Sequence, residues 1–293
     1  MNPEMDEWLD RLHTKVAHDA PELLELFNTY AGEARFGRTY IEPNLQQLTS
    51  GAQILEVGAG ALILSSQLVR EGYRVTALEP TGEGFSHFDR LRSLVVAQAI
   101  EDKCMPVLLE IPAESLEIKN RFDFAFSINV MEHVGNVEAV INSVSRSLAC
   151  GGAYRFACPN YMFPYEAHFN VPTLGSKKLT EKVFLKSIRN RKDLQDPEGL
   201  WNSLNWITVP KIRNVVVKNK ALKVYFGKKL FYRMLERLAS DPIFSARRTP
   251  WMRQVLKMVV GSGLHKIAIL IPPIVQPVID CTLVRSETLE SFQ

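Results

Sequence analysis

The apolar positions of this chain fall into alternating strand-like and helix-like runs. Gln53, Ile54, Leu55 and Val57 suit a short strand buried in a parallel sheet. Leu62 to Arg70 then reads as a helix, with Leu62, Leu64, Leu68 and Val69 on its apolar side and Gly72 placed to stop it. Arg74 to Leu78 forms a second strand that runs into a carboxylate, Glu79. Strand, glycine turn, helix, strand and acid together make one βαβ unit. Near the other end, Thr208 caps a predicted helix running to about Lys218. Leu222 to Phe226 and Val278 to Val284 are predicted strands. Before the first strand, Glu4 to about Asn28 reads as one or two short amphipathic helices broken at Pro21, and Phe36 to Tyr40 as a lead towards the strand.

The turn between the first strand and its helix, Glu56-Val57-Gly58-Ala59-Gly60, predicts a nucleotide-type cofactor site, because glycines there allow close backbone approach to a ligand. A dinucleotide fingerprint wants a further glycine three positions after Gly60, and that position is Ile63. Glu56 beside the turn repels a pyrophosphate but attracts a cationic, amine-bearing ligand. Glu79, at the carboxyl edge of the neighbouring strand, is placed to accept both hydroxyl hydrogen bonds of a ribose.

The stretch resembles motif I of the class I S-adenosylmethionine-dependent methyltransferases, E-x-G-x-G-x-G, with Leu62 in place of the last glycine. The resemblance extends in order over roughly residues 50 to 160. Glu79-Pro80 looks like the ribose-binding acid, and Ile111 to Leu116, with Ala113 and Glu114, like the segment covering the adenine. Phe122 to Val134, which holds Asn129, Val130, Glu132 and His133, is similar to the fourth-strand motif, and Leu148 to Phe156 to the entry into the fifth strand.

This resemblance implies a Rossmann-like α/β fold with a seven-stranded, mostly parallel sheet and an antiparallel last strand. It further implies N-terminal helices, a helical insertion between strands six and seven, and S-adenosylmethionine as cofactor. The expected organisation is an N-terminal helical cover over 1–50 and a cofactor-binding core over 51–160. A substrate loop, helix and sixth strand follow over 161–227, then a basic amphipathic insertion over 228–275 and the seventh strand with a tail over 276–293. In similar enzymes the N-terminal segment closes over the cofactor, which places Arg38 and Tyr40 as candidate ligands of its carboxylate or of the substrate. A solvated role for Arg38 is the alternative.

Beyond the fifth strand, Ala157 to Phe169 combines aromatics, prolines, a carboxylate and an imidazole at the edge where open α/β sheets hold ligands. Tyr161 and Tyr165 are candidate pocket walls. Its pattern P-N-x-x-x-P-Y-E-x-H resembles an active-site loop of methyltransferases acting on sugars or lipid-linked glycans. For methyl transfer to a hydroxyl, the protein must align the acceptor and remove its proton. His168 is the candidate general base with Glu166 assisting. Its alternative is a hydrogen bond that merely holds the loop. His133 is either catalytic or a capping and packing residue after the fourth strand. No cluster has metal-ligand spacing in sequence, so no metal is expected, although Glu132, His133 and His168 are candidates to converge in space.

Composition adds a partner. The chain has 293 residues, 46% of them hydrophobic, and a net charge of only +3. Yet in the helix before the sixth predicted strand and the insertion after it, Lys211, Arg213, Lys218, Lys220, Lys223, Lys228, Lys229, Arg233, Arg237, Arg247, Arg248, Arg253, Lys257 and Lys266 are opposed only by Glu236 and Asp241. Interleaved Leu230, Phe231, Met234, Leu235, Leu238, Trp251, Met252, Leu256 and Val259 give an apolar face. This pattern fits an anionic membrane surface or a phosphorylated, lipid-linked acceptor, with RNA as the alternative. Methyltransferases of exocyclic base amines often carry Asn/Asp-Pro-Pro-aromatic after strand four, where this chain has Ser127-Ile128-Asn129-Val130, so a small-molecule, glycan or lipid-linked acceptor ranks above nucleic acid.

A non-catalytic scaffold, left open by Leu62, and an NAD-dependent oxidoreductase complete the alternatives. The acidic N-terminal stretch is unlike a secretion signal, and the prolines within Ile267 to Val278 interrupt the most apolar run. Four cysteines without paired spacing complete an expected cytoplasmic protein, peripheral to the inner membrane surface if the basic helices bind lipid.

Overall fold

A computed structural model describes residues 3–80, 89–191, 194, 196–241, 245 and 250–286. Seven strands form one sheet in the order β3-β2-β1-β4-β5-β7-β6. They are β1 Gln53–Val57, β2 Arg74–Leu78, β3 Val107–Leu109, β4 Phe122–Ile128, β5 Leu148–Pro159, β6 Leu222–Phe226 and β7 Val278–Arg285. β1 pairs in parallel with β2 and β4, β2 in parallel with β3, and β6 pairs antiparallel with β7. The Rossmann-like class I architecture expected from the sequence is the one found.

The chain divides into two compact units, one of 1–127 with 146–154 and one of 128–145 with 155–293. In the first, β1 is buried along almost its whole length, as a parallel strand between two neighbours requires. Helix α3, Ile63–Arg70, follows the glycine turn, and Gly72 at φ 90° ends it in the left-handed conformation glycine tolerates. Gly152, at the start of β5, has no room for a side chain: a Cβ there would lie 2.9 Å from the carbonyl oxygen of Phe122.

The N-terminal region departs from the sequence expectation. Helix α1, Pro3–Asp19, ends before a single 3-10 turn at Pro21–Leu23, but α2 then runs unbroken for 22 residues, Leu24–Leu45. Phe36 to Tyr40 therefore lies inside a helix and not in a connector. Its buried face includes Ala31, Ala34 and Gly37, small residues that carry little hydrophobic periodicity, and Pro43 is confined to the last turn. Trp8 Nε1 and Arg11 Nη1 of α1 both donate to Asp102, just beyond helix α4 (Asp89–Glu101), at 3.0 Å.

In the second unit, helices α5 (Val137–Ser147, its last residues in the first unit), α6 (Lys177–Arg189), α7 (Pro197–Ser203) and α8 (Val209–Lys218) precede β6. Thr208 caps α8, accepting from the Lys211 amide at 3.3 Å as its sequence position predicts. Between β6 and β7 lie α9 (Lys229–Ser240), α10 (Pro250–Gly261) and a 3-10 segment, Leu264–Leu270. Arg155 of β5 forms a two-pronged pair with Asp280 of β7, at 3.0 and 2.9 Å. The four cysteines are free thiols, three of them buried.

Candidate functional site

The glycine turn is built from three alternate left-handed residues, Gly58 at φ 74°, Gly60 at 52° and Leu62 at 64°. Gly58 and Ala59 donate to the Leu78 carbonyl at 2.7 and 3.2 Å, which fixes the turn against the end of β2. Gly60 N–H donates to Glu79 Oε2 at 2.9 Å. Among the described residues a Cβ on Gly60 would meet nothing within 4 Å, which leaves room for a ligand to approach the backbone. Leu62 sits where glycine would be strain-free, yet its side chain is fully buried, and that burial offsets a left-handed cost of about 1–2 kcal/mol.

Two acids flank the turn. Glu79 is buried, and burial raises its carboxyl above the ordinary range despite the Gly60 hydrogen bond and nearby Arg92. Glu56 is buried at the end of β1 and accepts from the Ser65 hydroxyl; burial pushes its carboxyl up to about 8, with Glu79 adding to the rise and Ser65 opposing it. A cationic amine placed beside Glu56 would restore the ionised form by Coulombic attraction. Ala113, buried, and Glu114 form a 3-10 turn after Pro112, and Pro80 follows Glu79 half-buried. These residues and Val57 all lie in the first unit.

Arg38 and Tyr40 stand elsewhere. Arg38 Nε donates to both oxygens of Glu71 at 2.9 and 2.8 Å, and its Nη1 pairs with Glu42. The guanidinium is thus held by two carboxylates of its own unit. Tyr40 is 2% exposed and stacks on Phe36, so it is a core residue of α2. The long α2 helix places Arg38 in ion pairs and packs Tyr40 in the core. Asp123 Oδ2 accepts from Gln53 N–H at 2.8 Å and organises the strand edge.

The second unit carries a different cluster. Asn129, at φ 56°, donates its N–H to the Ala157 carbonyl at 2.8 Å, and Val130 begins the turn that holds Glu132 and His133. Asn205 pins that turn: its Nδ2 donates to the carbonyls of Met131 and Val134 at 2.8 Å, and its N–H donates to the Glu132 carbonyl at 2.8 Å. From the loop beyond β5, Glu166 is buried and accepts from Phe169 N–H at 2.7 Å and from His168 Nδ1 at 2.6 Å. Burial pushes the Glu166 carboxyl up, but the hydrogen bond and charge of His168 together outweigh it and hold the group below its ordinary value.

His133 and His168 meet edge to face with centroids 5.6 Å apart. His133 Nδ1 lies 2.8 Å from Ser203 Oγ, which ties the ring to the end of α7. Burial and the neighbouring His168 lower its imidazole to about 4, so it is neutral at physiological pH. Glu132 is fully buried, neither carboxylate oxygen has a hydrogen-bond partner among the described residues, and burial raises it to about 7, with the neighbouring His168 opposing the rise. Tyr161 stacks on Trp206 at 5.0 Å and points its hydroxyl at Glu166 Oε1, 3.4 Å away, while Tyr165 donates to Asn170.

Sequence reading missed Ser203, Asn205, Trp206 and Ser65. His133 and Ser203 are separated by 70 positions, so no local pattern links them. Ser65 sits on a helix whose apolar spacing gave no reason to single it out.

Comparison with known proteins follows the same lines. The family described as "Methyltransferase domain" matches residues 30–200. An uncharacterized protein of Mycobacterium tuberculosis, Rv1509, is 42% identical over 285 residues, 97% of this chain and 96% of its own length. A ubiquinone biosynthesis O-methyltransferase of Paramagnetospirillum magneticum is 30% identical over 128 residues, 43% of this chain and 47% of that protein. Among solved structures, an S-adenosylmethionine-dependent methyltransferase from Mesorhizobium loti superposes with TM-score 0.50 at 13% identity, covering 84% of this chain and 98% of that one, a likeness of fold.

Proposed function

From the premise that this chain belongs to the methyltransferase-domain family, as a class I S-adenosylmethionine-dependent enzyme, we propose that it methylates a hydroxyl of a small-molecule, glycan or lipid-linked acceptor. S-adenosylmethionine, when bound, supplies an activated methyl. Glu79 would take the ribose hydroxyls, Glu56 the amine, the Gly58 to Gly60 backbone the remaining approach, and Ala113 and Glu114 the adenine. The three left-handed residues and the open face at Gly60 fit such a ligand.

The observation that carries the acceptor chemistry is the 2.6 Å contact between His168 Nδ1 and Glu166 Oε1. A carboxylate on Nδ1 fixes that proton and leaves the ring's lone pair on Nε2. With the cofactor supplying its methyl to the acceptor oxygen, His168 Nε2 would take the hydroxyl proton, with Glu166 holding the ring in place. Neutral His133, tied to Ser203, lines the same cluster. The partial match to a ubiquinone biosynthesis O-methyltransferase supports oxygen as the methylated atom.

The face for a lipid-linked acceptor is the basic insertion. On α10, Trp251, Val255 and Met258 recur at helical spacing and are all exposed. In the following 3-10 segment, Leu264, Ile267 and Leu270 recur every third residue, which aligns them along one edge, and they are exposed too. Arg253, Lys257 and Lys266 stand among them. Part of the basic set is engaged internally: Lys218 pairs with Glu138 at 3.2 Å, Arg237 with Asp241 at 3.2 Å, and Lys211 Nζ donates to the carbonyls of Asn205 and Trp206 at 3.1 Å. Arg247 and Arg248 lie outside the described residues. No described helix is long and apolar enough to cross a membrane. An exposed apolar strip with interspersed cations suits lying on an anionic lipid surface.

Mass spectrometry of cell extracts incubated with the protein and methyl-labelled S-adenosylmethionine tests the function. Label on an oxygen of one extractable molecule is the expected result; label confined to RNA, or no transfer despite cofactor binding, would refute it.

A further inference from the structure

We infer that Glu132, His133 and His168 form a binding site for one divalent transition-metal ion of the zinc type. One ligand atom from each of the three lies within 4.8 Å of the others. Three observations on the same unit point to a cation.

Glu132 has no exposed surface, and among the described residues neither of its carboxylate oxygens has a hydrogen-bond partner. An orphaned buried carboxylate is costly unless a positive charge meets it. Its nearest basic neighbour, His133 Nε2, lies 3.9 Å from Oε1, too far for a hydrogen bond. That separation matches two ligands sharing one ion, which stand roughly 3 to 4 Å apart when each bond is about 2.1 Å.

Each imidazole is also held by its other nitrogen. Glu166 takes Nδ1 of His168 at 2.6 Å, and Ser203 Oγ sits 2.8 Å from Nδ1 of His133. Metal-binding histidines are oriented in this way, with Nδ1 engaged by an acceptor and the Nε2 lone pair presented to the ion. Asn205 clamps the backbone on both sides of Glu132, so the first two ligands are preset and not left to a flexible loop.

The donor set decides the metal. Two imidazoles and one carboxylate suit zinc, cobalt or iron, whereas magnesium wants oxygen ligands. Three protein ligands leave a position open, and an acceptor hydroxyl placed there would become more acidic. This use rests on the methyl transfer proposed above, and it changes the part of His168 from proton acceptor to ligand. Binding of the ion does not rest on that reading.

The test uses full-length protein stripped with a chelator and titrated with Co2+. One equivalent should bind with a d–d absorption spectrum of an N/O site, and Zn2+ should displace it and raise the melting temperature. Glu132→Gln should weaken binding by 100-fold or more, and Ser203→Ala, at an exposed position that leaves the core intact, by roughly 10- to 100-fold. His168→Asn serves as the second ligand variant should Glu132→Gln fail to fold. Absence of a stoichiometric Co2+ spectrum, or equal affinity in the wild type and in His168→Asn, overturns the site. Full methyl transfer by the stripped protein without any Co2+ binding would overturn the metal and leave the methyltransferase reading standing.

Discussion

Glu79 Oε2 accepts the Gly60 amide hydrogen at 2.9 Å, so the acid that ends β2 is held by the turn that leaves β1. Glu79→Gln keeps the size and a carbonyl acceptor but loses the charge. A charge-assisted hydrogen bond contributes about 1.5–3 kcal/mol, so S-adenosylmethionine affinity should fall roughly 10- to 100-fold by calorimetry. Unchanged affinity would remove Glu79 from the cofactor site.

Leu62 gives a test of backbone strain. Leu62→Ala keeps the left-handed φ of 64° and loses the buried side chain, for a destabilisation of about 2–5 kcal/mol. Leu62→Gly loses the same side chain but releases the strain, so it should be more stable than the alanine variant by about 1 kcal/mol. Denaturant unfolding of the two variants decides it, and the reverse order would mean the position is not strained.

Glu56 makes stability fall with rising pH. Its folded carboxyl titrates at about 8 against an ordinary 4.5, so between those values the native state holds a proton that the unfolded chain has released. Stability is therefore lost as pH climbs from 4.5 to about 8. Melting temperatures of Glu56→Gln should decline less over this window than those of the wild type, and parallel curves would contradict the assignment.

Arg155 and Asp280 form a largely buried, two-pronged pair, so removing the carboxylate takes both of these charge-assisted bonds from the guanidinium. Asp280→Ala should cost about 3–5 kcal/mol in denaturant unfolding. A cost below 1 kcal/mol would show the pair to be no better than a surface contact.

Lipid binding depends on exposed side chains, which separates it from folding. Trp251→Glu and Ile267→Glu should leave the melting temperature nearly unchanged while each weakens co-sedimentation with phosphatidylglycerol vesicles about tenfold or more, in a salt-sensitive way. Equal binding by the variants, or preference for RNA over vesicles, would reject the lipid surface.

The βαβ unit with its glycine turn was legible because its signals are local. The strand, the glycines and the acid of β1 to β2 lie within about thirty positions, and strand periodicity together with left-handed turns is encoded by neighbouring residues. The long α2 helix escaped because Ala31, Ala34 and Gly37 bury a face without hydrophobic contrast. Arg38 then read as an unclaimed cation, since Glu71 lies 33 positions away.

The sequence alone determined the fold class, the turn at Gly58 and Gly60 with its acids, and the presence of a basic insertion, because short-range spacing and composition carry that information. Tertiary structure decided which side chains meet. It buried Glu132 with no hydrogen-bond partner among the described residues, set His133 on Ser203, brought His168 onto Glu166 and these imidazoles together, and turned Trp251, Ile267 and Leu270 outward. Those contacts depend on the packing of segments far apart in the chain, and no local period records them.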